Sequence, residues 1–174
     1  VVLANGIMLI RILVVVFAIN RELWVKLLLP VVILILLVAG FSYVLWRKTK
    51  DVKGKVELTS PFTLAPALKF GAFFAVILAL VKLADVYLSS NGVYIVSLIS
   101  GFADVDAITL SLSQLSKTTL SLDTAVNGIL IAALTNISVK GGIAYLFGGR
   151  EFGRIIATFY AILIVIGIGL ILLL

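Results

Sequence analysis

Apolar residues fill this chain in long blocks, and each block approaches the roughly 20 residues that a helix needs to cross a bilayer. Six such blocks can be traced. The first covers about residues 1–18 and is broken only by Arg11; the second covers about 27–46. Pro30 falls in the predicted first turn of that second block, where a missing N–H is tolerated. A basic linker runs from Arg47 to about Ser60, and Ser60-Pro61 opens the third block at about 63–88, which contains Lys69, Lys82 and Asp85. Ser89-Ser90-Asn91-Gly92 reads as a tight turn. The fourth block, about 93–115, leads through Ser116–Asp123 to the fifth, about 124–147; Gly148-Gly149-Arg150-Glu151 reads as another turn before the sixth, about 155–174. Strands of a membrane barrel would alternate over about ten residues, so continuous blocks of this length predict helices. The expected fold is all-α: a polytopic transmembrane bundle of about six helices.

The blocks also repeat. Leu3-Ala4-Asn5, an apolar stretch, Asn20-Arg21-Glu22-Leu23 and an uncharged span are echoed by Leu134-Thr135-Asn136, Gly149-Arg150-Glu151-Phe152 and an uncharged span. The chain thus divides as one transmembrane domain, 1–174, in which 1–46 ends a first degenerate repeat, 47–62 is the linker and 63–174 is the second repeat. Four crossings between the copies would make them parallel; a break or re-entrant turn at the aspartates of the fourth block would make them inverted. No Met or charged leader segment opens the chain, and its first residues already read as helix interior, so an excerpt of a longer protein is expected.

Composition supports the membrane reading. The chain is 63% hydrophobic and 13% charged, with a mean hydropathy of +1.29, against about 45–50% and about 25% in soluble domains. There is no Cys and no His, which excludes disulfides, thiolate sites and the commonest general base and transition-metal ligand. The net charge of +6 is densest at Arg47, Lys48, Lys50, Lys53 and Lys55. That pattern is a membrane flank facing anionic lipid, not a nucleic-acid surface, and it puts the linker in the cytoplasm of a multi-pass inner (plasma) membrane protein. With six crossings, Lys117 would share that side, and Arg21, Lys26, Arg150 and Arg154 would lie opposite.

The candidate chemistry stands out against this apolar ground. Asp104 and Asp106 are preceded by 18 uncharged residues and followed by ten. A carboxylate at a transmembrane helix centre costs roughly 2.5–3.5 kcal/mol, so the pair needs a cation, a proton, a basic partner or a wet cavity. On a regular helix the two point about 200° apart. Asp104 would then stack with Ser97, Ser100, Gly101 and Ser111, and Asp106 with Thr109, Ser113 and Lys117. Alternatively Gly101 lets the helix unwind, and both carboxylates converge with freed carbonyls on one ion. The fifth block is the expected neighbour: Asn136 and Lys140 share a face, beside a small-polar face containing Asn127. Lys140 or Lys82 could pair with an aspartate, Lys82 and Asp85 could pair locally, and Arg11 could snorkel or bind headgroups. The ion-binding or proton-relay candidates are Asp104, Asp106, Thr109, Asn136 and Lys140, with Ser100, Asn127 and Asn5 secondary. Asp104 and Asp106 are the metal candidates.

Ser60-Pro61-Phe62, Pro66–Ala72, Ser100–Ser111 with its Asp-Val-Asp-Ala-Ile-Thr core, and Leu134-Thr135-Asn136 with Val139–Gly142 resemble the C-terminal uncharacterised membrane domain of MgtC/SapB-family proteins, domain of unknown function 4010. The resemblance covers essentially the whole chain. It implies a theme of magnesium or ion homeostasis and an N-terminal MgtC-like part as an intrachain partner, and it assigns no activity to any residue. Ion transport, of a hard cation such as Mg²⁺ or of protons, is the first expected function, since every candidate ligand is an oxygen. A regulatory or scaffolding membrane protein, whose polar residues only hold helices together, is the alternative. Enzyme chemistry is not expected, because aspartates two apart on a regular helix cannot form a proton-sharing dyad. No cofactor is expected beyond Mg²⁺ or another hard cation as substrate. The expected partners are the lipid bilayer and, as an open option, further copies of the chain.

Overall fold

A computed structural model describes residues 2–48, 64–147 and 150–173. Among them are six α-helices and no strand: α1 Val2–Ile19, α2 Arg21–Lys48, α3 Leu64–Ala103, α4 Val105–Leu115, α5 Leu122–Phe147 and α6 Arg150–Leu173. Five helical stretches are long and apolar enough to cross a membrane, namely Val2–Ile19, Arg21–Leu45, Gly71–Ala103, Leu122–Leu146 and Gly153–Leu173. The chain is therefore a multi-pass helical membrane protein. Most of the linker, Pro61, Pro66 and the Gly148-Gly149 turn lie outside the described residues or side chains.

Helix starts follow local chemistry. Asn20 sits between α1 and α2, and its Oδ1 accepts from the backbone N–H of Glu22 and Leu23 at 3.1 and 3.2 Å, which caps α2. Because α2 begins at Arg21, Pro30 lies inside the helix instead of in its first turn. Each helix turns an apolar stripe inward at three- and four-residue spacing: Leu9, Ile12 and Val16 on α1, Leu27, Leu34 and Val38 on α2. Outward-facing Leu36, Val165 and Leu172 are 65%, 69% and 80% exposed, as a lipid-facing sheath requires.

α3 is two helices joined at Ser89, whose backbone has φ 54° and ψ −154°. A Cβ on Gly92 would lie 2.9 Å from the Ala84 carbonyl oxygen and 2.5 Å from the Leu88 Cβ. Eight residues of straight helix would put Gly92 about 12 Å from Ala84, so the chain folds back sharply here. The expected Ser89–Gly92 turn is thus real, built on one residue of positive φ and one glycine of close approach. That conformation is essentially a glycine one and costs a serine about 1–3 kcal/mol. Ser89→Gly is expected to raise stability by about 1 kcal/mol after glycine's extra chain entropy is offset, read as a shift of the unfolding midpoint in detergent.

Contacts at the two ends of each helix fix its direction. Ser90 meets Thr124 at 3.0 Å and the Asn136 side chain meets the Gly101 carbonyl at 3.0 Å, so residues 90–103 run parallel to α5. Arg11 pairs with Asp106 and Asn20 bonds Ser116, so α4 runs parallel to α1. Lys140 meets Met8, while Lys26, just past the end of α1, meets Asp123, so α1 and α5 are antiparallel. Residues 90–103 and α4 therefore run in opposite directions. Ser97 and Leu112, one from each arm, both face Gly128 of α5. The fourth apolar block is not a crossing. It is a re-entrant helical hairpin that enters the bundle, breaks at Asp104 and returns.

Arm length explains why. The arms 90–103 and 105–115 rise about 21 and about 16 Å, too little for a hydrocarbon core about 30 Å thick. Their tip lies level with Arg11 at the middle of α1 and Asn136 at the middle of α5. The 116–121 loop returns to the end of the bundle that holds Asn20, Arg21 and Lys26. That corrects the six-crossing arrangement, in which Lys117 shared a side with Arg47.

Candidate functional site

The hairpin tip is organised by Asp104. Its backbone is extended, with φ −156° and ψ 131°, and its Oδ1 accepts the Asp106 N–H at 3.0 Å. An aspartate in this geometry caps the orphan N–H groups at the start of a helix. The break thus falls at Asp104, not at Gly101, which remains helical. The regular-helix stacking of Asp104 with Ser97 and Ser111 does not occur.

Asp106, in the first turn of α4, pairs with Arg11 of α1: Nη2 to Oδ2 is 2.5 Å, with the side chains 55% and 22% exposed. Lys140 is the other cation at this level. Its Nζ lies 3.6 Å from the Met8 sulfur and makes no ion pair among the described residues. Arg11, Asp104, Asp106 and Lys140 nevertheless act on one another electrostatically. Arg11 is therefore the residue that the sequence reading placed wrongly, as a snorkelling or headgroup-binding side chain. Among the described residues Lys82 and Asp85, which could pair locally, make no ion pair either.

Asn136 ties the tip to α5 by donating Nδ2–H to the Gly101 carbonyl, one of the last carbonyls of the first arm. The two backbones are in close approach there. A Cβ on Gly101 would sit 2.6 Å from the Ala132 carbonyl oxygen and 2.7 Å from the Thr135 Cβ. Several buried oxygens near the tip have no protein partner: Thr109 Oγ1, Ser100 Oγ and Asn136 Oδ1. Thr109 and Ser100 are each 1% exposed and Asn136 is 8% exposed. Buried polar atoms are normally satisfied, so these oxygens, on the elements that carry or contact the two aspartates, are candidates to take part in binding a ligand.

The remaining candidates lie elsewhere. Asn127 is beside Gly128, at the level of Ser97 and Leu112 and about 13 Å below Asn136 along α5. Asn5 donates to the Tyr160 hydroxyl at 2.6 Å and sits about 9 Å from Arg11 along α1. Both have an unpartnered Oδ1, but neither is brought to the tip. Among the described residues no group of three or more His, Cys, Asp or Glu side chains forms a metal cluster. Any ion held at the tip would take carboxylate, hydroxyl, amide and water oxygens.

Comparison with known proteins gives a family and no activity. The family model "Domain of unknown function (DUF4010)" matches residues 1–148. A curated relative from Aquifex aeolicus (strain VF5), described as "Uncharacterized protein", is 36% identical over 128 residues, 73% of this chain. The matched region spans 56% of that relative, so the chain covers about half its length. No solved structure matches.

Proposed function

We propose, from the premise that this chain belongs to the DUF4010 family, that it moves a hard cation or protons across the membrane through the tip of its re-entrant hairpin. The observation that carries this reading is the position of Asp104 and Asp106, at a helix break midway through the bundle. Broken half-helices meeting at the midplane expose charged side chains and helix ends where an ion can exchange its hydration shell. The oxygen-only surroundings favour a hard cation, and Mg²⁺ bound there would retain several waters. This agrees with the ion-homeostasis theme of the MgtC/SapB resemblance.

The hairpin also changes the sense of the repeat. With residues 90–115 entering and leaving by one face, α1–α2 and α5–α6 become copies of opposite orientation, consistent with α1 lying antiparallel to α5. Inverted repeats allow the two halves to exchange conformations and open a central site to alternate sides. The side carrying Arg47 also carries Arg150 and Arg154 in this topology, which supports its assignment to the cytoplasm.

The test is uptake of Mg²⁺, Na⁺ and protons into proteoliposomes by wild type, Asp104→Asn and Asp106→Asn. Asp106→Asn is expected to reduce flux of the transported ion at least 100-fold, and Asp104→Asn, which keeps a cap-competent amide oxygen, about 10-fold. The Arg11–Asp106 ion pair favours a second reading, a scaffold whose charges only join helices. In that case the variants lower stability and wild type moves no ion.

A further inference from the structure

Charge balance at the hairpin tip sets a condition on any cation bound there. Arg11 occupies the Asp106 carboxylate as an ion pair before an ion arrives. A cation bound at Asp106 with Arg11 still in place would set two positive charges against one carboxylate in a poorly solvated site. One basic group has to withdraw. Moving Lys140 would free no carboxylate, because its Nζ rests on the Met8 thioether. Arg11 does hold one, with its Nη2 2.5 Å from Asp106 Oδ2, so of the two basic side chains its departure is the one that would free a carboxylate.

A cation taking the place of Arg11 would meet more than one oxygen. Thr109 follows Asp106 by three residues and so lies on the same face of α4. Its side chain is 1% exposed, and its Oγ1 has no protein partner. We infer that Arg11 is a tethered counter-cation, which occupies the Asp106 carboxylate when the site is empty and yields it to a hard metal cation that binds Asp106 and Thr109. This rests on the ion-conducting reading for its role, but its signature is in binding and can be read without flux.

The structure assigns Arg11 the part of a competitor, so removing it should tighten binding, whereas removing a purely structural partner should not. Equilibrium dialysis of the whole chain in lipid nanodiscs, against MgCl₂, CaCl₂ and NaCl in separate arms, provides the measurement. Arg11→Gln is expected to lower the apparent Kd for at least one of these cations about tenfold or more, the factor by which the site spends its time occupied by Arg11. Arg11→Lys should fall between, about threefold, because a single ammonium holds a carboxylate less firmly than a planar guanidinium. If Arg11→Gln does not fold, the Arg11→Lys shift carries the test alone. Equal or weaker binding in the folded variants, or no binding of any of the three cations by any form, overturns the inference. Should Asp106→Asn leave flux intact, conduction fails as a reading while the Kd order still decides what Arg11 does.

Discussion

A cysteine placed at Lys117 is expected to react with a membrane-impermeant thiol reagent from the same face as one at Arg21, and from the face opposite to one at Arg47. The chain contains no cysteine of its own, so each substitution gives a single reporter in a silent background. The expectation follows from three contacts at one end of the bundle: Asn20 with Ser116, Lys26 with Asp123, and Ser90 with Thr124. Arg21 begins α2 and Arg47 lies near its other end, so a full crossing separates those two. Lys117 lies in the turn after α4, on the Arg21 side. Had residues 93–115 crossed the bilayer, Lys117 would label with Arg47. The effect is all-or-none in sealed vesicles of one orientation. Shared labelling of Lys117→Cys and Arg47→Cys would remove the re-entrant hairpin. An Asp104→Cys reporter at the tip adds depth: a wet vestibule makes it reactive from one face, and closure in lipid makes it inert from both.

How much of this could be read from the residues is instructive. The helices were legible, because apolar blocks of this length have no other stable form in a membrane. So was the pairing of the aspartate segment with the face of α5 that carries Asn136, since polar groups in lipid seek one another. The hairpin was not, because two arms too short to cross, joined end to end, have the length and hydropathy of one crossing. The signal lay in the sequence Asp104-Val105-Asp106, a capping residue followed by an acidic first turn, which is how a helix starts. Gly101 drew attention to the right place for the wrong reason: its missing side chain serves close packing on α5, not unwinding. Arg11 was misread through the length of its side chain. It stands at the middle of α1, too deep for a headgroup, and its partner became visible only when the hairpin brought Asp106 alongside. Lys140 shows the reverse error, since a plausible aspartate partner was nearby in depth yet Arg11 had already taken it.

Replacing Gly101 by alanine is expected to be strongly destabilising. The new Cβ would stand 2.6 Å from the Ala132 carbonyl oxygen and 3.1 Å from its Cα, and helical backbone on α5 cannot retreat as a side-chain tip can. The hairpin must shift instead, at a cost of about 1–3 kcal/mol for overpacking. The shift also strains the bond from Asn136 to the Gly101 carbonyl, whose loss would leave a buried acceptor unpaired for about another 1–3 kcal/mol. Gly128 provides the comparison. A Cβ there would meet Leu112 Cδ1 at 2.8 Å and Ser97 Oγ at 2.9 Å, both side-chain ends and not backbone, so Gly128→Ala should cost less, about 1 kcal/mol. Gly142 has nothing within 4 Å, and alanine there should be neutral or stabilise by up to about 1 kcal/mol through helix propensity. Unfolding midpoints of the three variants in bicelles should therefore rank Gly142→Ala, Gly128→Ala, Gly101→Ala from highest to lowest. Ion uptake should fail in Gly101→Ala even at temperatures where the protein stays folded, because a displaced tip separates Asp106 from Arg11. A Gly101→Ala protein with wild-type stability and wild-type uptake would mean that the tip is not seated against α5 at this point. The position of the aspartate pair at mid-bundle, on which the ion-conducting reading depends, would then have to be given up.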